Sequence, residues 1–251
     1  MKQFLALVIV WISALPAMAE EIVLGLSQDE VAITATFDGS DILIFGAIKR
    51  EEPIPQNVDL GVIVTVAGPD EAVTVRRKDR RFGIWVNTES VEIDVAPSFY
   101  AVATNRPLEE ILDSTEDENT RISTKRAIRS IGPSQMGSIN FAEALIRIRE
   151  DARLYQTLPD GVWVKDDTLF RTLISLPANL TEGDYVAEIY LTRDRKIVDF
   201  YSTAIPVKKV GLERWLYRLA HDNAILYGLM SLAIAIAAGW GASAIFSLAR
   251  R

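Results

Sequence analysis

From Asn223 to Ala249 the chain carries no charged residue, and Ala224 to Ala249 alone is 26 residues long. At ~1.5 Å rise per residue that is about 39 Å of helix, longer than the ~30 Å hydrocarbon layer of a bilayer. A core helix of a soluble protein keeps a polar stripe, and this segment has none. Arg250 and Arg251 follow at once, and basic residues beside a span stay on the cytoplasmic side. The sequence therefore predicts one C-terminal transmembrane helix, residues 224–249, with a two-residue cytoplasmic tail.

The opposite end predicts the same orientation. Lys2 precedes an uncharged apolar stretch from Phe4 to Ile12, and Ala17-Met18-Ala19 places small residues where a signal peptidase needs them. This is the grammar of a secretory signal, residues 1–19, cleaved before Glu20. The alternative is an uncut first span, for which the apolar run falls short of the ~20 residues required. Between the ends, Leu212, Trp215, Leu216 and Leu219 recur at helical spacing over residues 211–223. They predict a juxtamembrane amphipathic helix, with Trp215 and Tyr217 at the headgroup level or packed on the domain.

Residues 20–210 predict a mainly β domain. Val31, Ile33, Ala35 and Phe37 alternate with smaller residues, a half-buried strand by its period of two, and Ile42–Ile48 is a continuous apolar run expected in a central strand. Further β runs are Leu60–Val66, Val73–Arg76, Phe82–Val86, Val91–Val95 and Phe99–Ala103, punctuated by Gly68-Pro69 and the Pro53/Pro55 pair. A helical insertion is expected over about 105–156. It begins at Asn105-Arg106-Pro107, continues over Thr120–Ile131 to Gly132-Pro133, and ends in a helix with Asn140 as N-cap and Glu143 three residues on. Strands return at Val162–Val164, Leu169–Leu176, Tyr185–Thr192 and Ile197–Pro206. Leu180-Thr181-Glu182-Gly183-Asp184-Tyr185 resembles the tyrosine corner of immunoglobulin-like sandwiches, carried by Leu180, Gly183 and Tyr185. The expected fold is thus an immunoglobulin-like Greek-key sandwich with an inserted helical segment, the alternative being two small β domains.

Composition removes most chemistry. Zero cysteines exclude disulfides, thiol catalysis and cysteine zinc sites, and a single histidine, His221, leaves no ordinary Ser-His-Asp triad or His-rich metal centre. The formal charge of −7, from 27 Lys+Arg against 34 Asp+Glu, argues against nucleic acid as a partner. Gly239-Trp240-Gly241 imitates a dinucleotide fingerprint but lies inside the apolar helix, with no strand before it. No enzyme, cofactor or metal is expected. Two candidate sites remain. Arg76, Arg77, Lys78, Arg80 and Arg81 crowd five cations into a stretch expected to be a turn, where they suit an anion, a headgroup or an acidic partner, or a solvated tip balanced by Glu116–Glu118. Ser231, Ala235, Gly239, Ser243 and Ser247 recur every four residues, a small-residue face on which another membrane helix can pack.

Several blocks carry a resemblance. They are Phe37-Asp38-Gly39-Ser40 leading to Ile44-Phe45-Gly46-Ala47, Val75-Arg76-Arg77-Lys78 through Arg81-Phe82-Gly83-Ile84-Trp85-Val86-Asn87, Ala96-Pro97-Ser98-Phe99-Tyr100, Leu176-Pro177-Ala178-Asn179-Leu180, and Val210-Gly211-Leu212-Glu213-Arg214-Trp215-Leu216. Together they resemble an alphaproteobacterial transmembrane protein family with no assigned activity. The resemblance runs from about residue 20 to the C-terminus. It implies a single-pass protein of the bacterial inner membrane, its bulk in the periplasm. It also implies an accessory role beside a sulfite exporter-type permease, because the family's genes often neighbour that of such a permease. The expected function is a membrane-anchored interaction protein with a membrane-protein partner. The alternatives are an anion- or solute-binding module using Arg76–Arg81 and an enzyme acting on envelope polymers.

Overall fold

The computed structural model describes residues 20–28, 30–34, 36–50, 59–129, 138–210 and 212–249. Residues 1–19, expected to be a secretory signal, the Pro53/Pro55 pair, Gly132-Pro133, Arg250, Arg251 and the side chains of Ser243 and Ser247 lie outside the described residues.

Strands β1 (Glu20–Leu26), β3 (Gly39–Arg50), β9 (Val162–Lys165) and β10 (Leu169–Pro177) form one antiparallel sheet in the order β1-β3-β10-β9. A second sheet runs β2 (Val31–Ile33), β12 (Lys196–Lys209), β11 (Gly183–Arg193), β4 (Leu60–Ala67), β7 (Tyr100–Thr104) and β8 (Tyr155–Leu158). Its edge strands are parallel to their neighbours, β2 to β12 and β8 to β7. Alternation explains the packing. In β10, Phe170, Thr172, Ile174 and Leu176 are buried while Leu169, Arg171 and Leu173 face out, so one face of the strand meets the second sheet. One apolar core fills the space between the sheets and draws on strands from both sides of the helical segment, with Ile44, Val64, Phe99, Phe170, Ile189 and Val207 among its members. The two halves are therefore one sandwich.

Helices α1 (Leu108–Ile111), α2 (Ser114–Thr120), α3 (Thr124–Ala127) and α4 (Ser138–Asp151) lie between β7 and β8 in the chain. α1 and α3, with the flanking Leu112 and Ile122, cover the outer face of the second sheet, where Ile111, Leu112 and Ile122 pack on Ile63, Tyr100 and Tyr190. Among the described strands, β5 (Asp70–Arg81) and β6 (Ile84–Pro97) pair with each other alone. Phe141 and Leu145 of α4 pack on Val75, Ile93 and Ala96 near the root of this ribbon. Arg149 of α4 fixes it further through Glu71 at 3.2 Å and the Ser98 carbonyl at 2.6 Å. The chain ends in α5 (Leu212–Asp222) and α6 (Ala224–Ala249).

The mainly β expectation and the C-terminal apolar helix agree with the structure, and several boundaries move. The strand expected over Val31–Phe37 stops at Ile33, because β12 ends beside it and the Phe37 N–H turns back to the Thr34 carbonyl. The helix expected over Thr120–Ile131 contracts to α3. Arg121 closes α2 in the left-handed region at φ 59°, and Arg129 must extend to bridge Val95. Asn140 is inside α4 rather than its N-cap, since the helix begins at Ser138. The acidic residues Glu116–Glu118 lie within α2. Asp113 caps it by accepting from the Thr115 N–H, and that bond holds the Asp113 carboxyl below its ordinary range.

Tyr185 is 1% exposed and its hydroxyl donates to the Thr181 carbonyl four residues upstream at 3.0 Å, as the corner motif predicts. Burial pushes this phenol up to about 12, so it remains a donor at any physiological pH. Tyr185→Phe should cost the domain about 1 kcal/mol, the net worth of one hydrogen bond, read as a lower urea midpoint at unchanged slope.

Candidate interaction surfaces

The outer face of the first sheet is built by the same alternation that builds the core. Neighbouring strands place Val23 beside Ala47 and Leu169, and Gly25 beside Phe45, Arg171 and Trp163, with Leu43 beside Leu173. Val23, Phe45, Trp163, Leu169 and Leu173 are each between 44 and 54% exposed. Gly25 is needed here: a Cβ on it would sit 2.6 Å from the Phe45 ring. The Arg171 guanidinium lies 4.7 Å over the Trp163 ring. Polar pairs bound the patch, Lys49 with Glu21 at 2.9 Å and Ser175 donating to Asp41 at 2.6 Å. Arg171 stands in the middle of this face between Leu169 and Leu173, and an apolar face around one ring-stacked cation, with a polar rim, is the signature of a surface that meets another molecule. Sequence reading missed it, although the Ile42–Ile48 run carried the signal. A half-solvated strand should alternate with polar residues, and this one does not.

The basic cluster is not a turn. β5 continues through it to Arg81, and the turn is Phe82-Gly83, with φ 49° and 83° as a two-residue hairpin requires. Arg77 is occupied, pairing with Glu89 at 2.9 Å and lying 5.1 Å over the Phe141 ring. Arg81 approaches Asp79 at 3.9 Å. Arg76, Lys78 and Arg80 have no ion-pair partner among the described residues. The acidic residues of α2 do not balance them: Arg126 takes Asp117 at 3.0 Å and Glu118 at 2.9 Å.

On α6, Ser231, Ala235 and Gly239 are exposed, and a Cβ added to Gly239 would meet nothing within 4 Å, so the domain does not cover this face. His221 is exposed at the end of α5, its ring stacked on Tyr217 at 4.0 Å. Asp38 and Asp41 line an open cleft with Glu150, Arg153 and Ser175, and a second cleft gathers Asp59, Arg106, Glu110 and Arg195. Neither includes any of the five cations of the ribbon. Among the described residues no group of His, Asp and Glu is placed to hold a metal ion.

A β domain followed by a 26-residue apolar helix, unburied over its described stretch Ala224–Ala242, defines a membrane-anchored protein with one candidate span. The family model described as "Putative transmembrane protein (Alph_Pro_TM)" matches residues 21–248, and the chain belongs to that family. No curated protein matches it.

Proposed function

We propose that this chain is a membrane-anchored accessory protein without catalytic activity, whose domain holds an integral membrane partner. A permease of the sulfite exporter type is the candidate that the family resemblance offers. The signal segment and Arg250-Arg251 support an inner-membrane location, with the domain in the periplasm and the C-terminus in the cytoplasm. The strand order also supports an immunoglobulin-like sandwich: β1-β3-β10-β9 faces β12-β11-β4, the chain passes from β1 in the first sheet to β2 in the second, and Tyr185 makes the corner bond.

One observation carries the reading, the exposed apolar face of Val23, Phe45, Trp163, Leu169 and Leu173. Such a face costs solubility unless another surface covers it, and it is fixed to a rigid sheet. The small-residue side of α6 offers a second contact inside the bilayer. The test is co-purification of the intact protein from its native membrane. Leu173→Glu should abolish capture of an integral membrane partner, because it places a carboxylate within the apolar part of the contact, beside Leu43. Gly239→Leu should weaken it, and Leu232→Phe, off the small-residue face, should leave it unchanged. Equal recovery of the same membrane proteins with Leu173→Glu and the natural chain would refute the reading.

A further inference from the structure

The end of the β5–β6 ribbon combines two features. Cross-strand register sets Arg81 opposite Ile84, Arg80 opposite Trp85 and Lys78 opposite Asn87. Alternation along β5 then gathers Arg76, Lys78 and Arg80 on one face with Trp85, and leaves Arg77, Asp79 and Arg81 on the other with Ile84. At the apex, Phe82 is fully exposed, with Ile84 66% and Trp85 69% exposed behind it. A large apolar residue is a poor choice for a turn position at φ 49°, where Asn, Asp or Gly serve without strain, and this one gains no packing in return. Five cations against one carboxylate, Asp79, occupy residues 76–87 of a chain whose formal charge is −7.

We propose that the ribbon is a membrane-surface docking element, with Phe82, Ile84 and Trp85 entering the headgroup layer of the bilayer that α6 spans, and Arg76, Lys78 and Arg80 pairing with anionic lipid. The chemistry matches each part of that layer. Indole and phenyl rings settle at the apolar–polar boundary, and cations above them meet phosphate. An isolated anion would need a concave site, whereas these cations lie along a convex ribbon. An acidic protein surface would satisfy the charges but gives no reason for three bare apolar side chains at the apex. The anchor also keeps the ribbon near the bilayer, so a weak contact per residue suffices. The inference rests on membrane anchorage and not on the accessory reading, and lipid alone tests it.

The chain has no cysteine, so Asn87→Cys provides a unique labelling point close to the tip. Full-length protein carrying an environment-sensitive fluorophore there is reconstituted with no other protein into phosphatidylcholine vesicles, with or without about one-third phosphatidylglycerol and with headgroup-nitroxide lipid as quencher. The expected result is a blue shift and strong quenching in the anionic vesicles only, reversed by high salt because screening lengths shrink to ~3 Å at 1 M. Arg76→Gln/Lys78→Gln/Arg80→Gln should abolish the quenching. Phe82→Ser/Trp85→Ser should abolish the blue shift. All five positions are exposed, so the domain keeps its fold. Equal quenching in neutral and anionic vesicles, or none in either, would overturn the proposal, and the second outcome would point to an acidic protein surface instead.

Discussion

Glu20→Ala should destabilise the domain by about 3–5 kcal/mol, the usual cost of breaking a buried ion pair from one side. The Glu20 carboxylate takes the Arg50 Nε at 2.7 Å and the Arg193 Nη2 at 2.8 Å, and the three side chains are only 7, 9 and 8% exposed. Arg50 is held in turn by the Asp167 carbonyl and the Thr168 hydroxyl. The carboxylate thus ties the first residue of β1 to β3 in its own sheet and to β11 in the other. Removing it deprives two buried guanidinium groups of the charge they share. Burial by itself pushes the Glu20 carboxyl up, but the hydrogen bonds and charges of Arg193 and Arg50 outweigh it and hold the group below the ordinary carboxylate range. A carboxyl depressed by folding contributes fully above its unfolded value, about 4.3, and the contribution is lost as pH falls through the folded value. Denaturant titration of the detergent-solubilised protein at pH 7 reads the loss directly. Glu20→Gln should also flatten the part of the acid dependence below about pH 4.3.

The second large effect belongs to Phe170. Its ring lies over Gly46 of β3, where an added Cβ would stand 2.5 Å from the ring, so the two strands approach through an aromatic against a bare backbone. Phe170→Ala should cost about 3–5 kcal/mol, combining lost transfer energy with a cavity that flanking strands cannot close. Because one core joins both sheets, the transition should stay a single cooperative step at a lower midpoint. Two separable transitions would mean that the sheets are independent domains.

The sequence was legible wherever one physical signal dominated. The 26-residue apolar helix is legible in composition, the corner at Leu180–Tyr185 in its motif, and β4, β10 and β11 in their apolar runs. It was opaque where two causes compete. In β5, both faces beyond Val75 are solvated, so alternation vanishes and the charges of Arg76–Arg81 imitate a loop. β1 and β8 were not named. One follows directly on residues 1–19, and the other is a four-residue edge strand next to the helical segment. Asn105 looked like the start of a helix, yet its amide accepts from the Val62 N–H and donates to the Leu60 carbonyl, completing the edge of β4. The surfaces were harder still. The cations were visible, but their division between the faces of a ribbon needed the register. The outer patch was hidden because Val23, Phe45 and Leu173 look like core in a linear sequence.

The central claim is that the outer face of the first sheet meets an integral membrane protein. Site-specific photocrosslinking in the native membrane tests it most directly, with the photoreactive residue at Leu173 or, as comparison, at the exposed Glu110 on the helical side of the domain. The account predicts a discrete adduct with one integral membrane protein from Leu173 and none from Glu110. Adducts of the same kind from both positions, or none from Leu173, would contradict it.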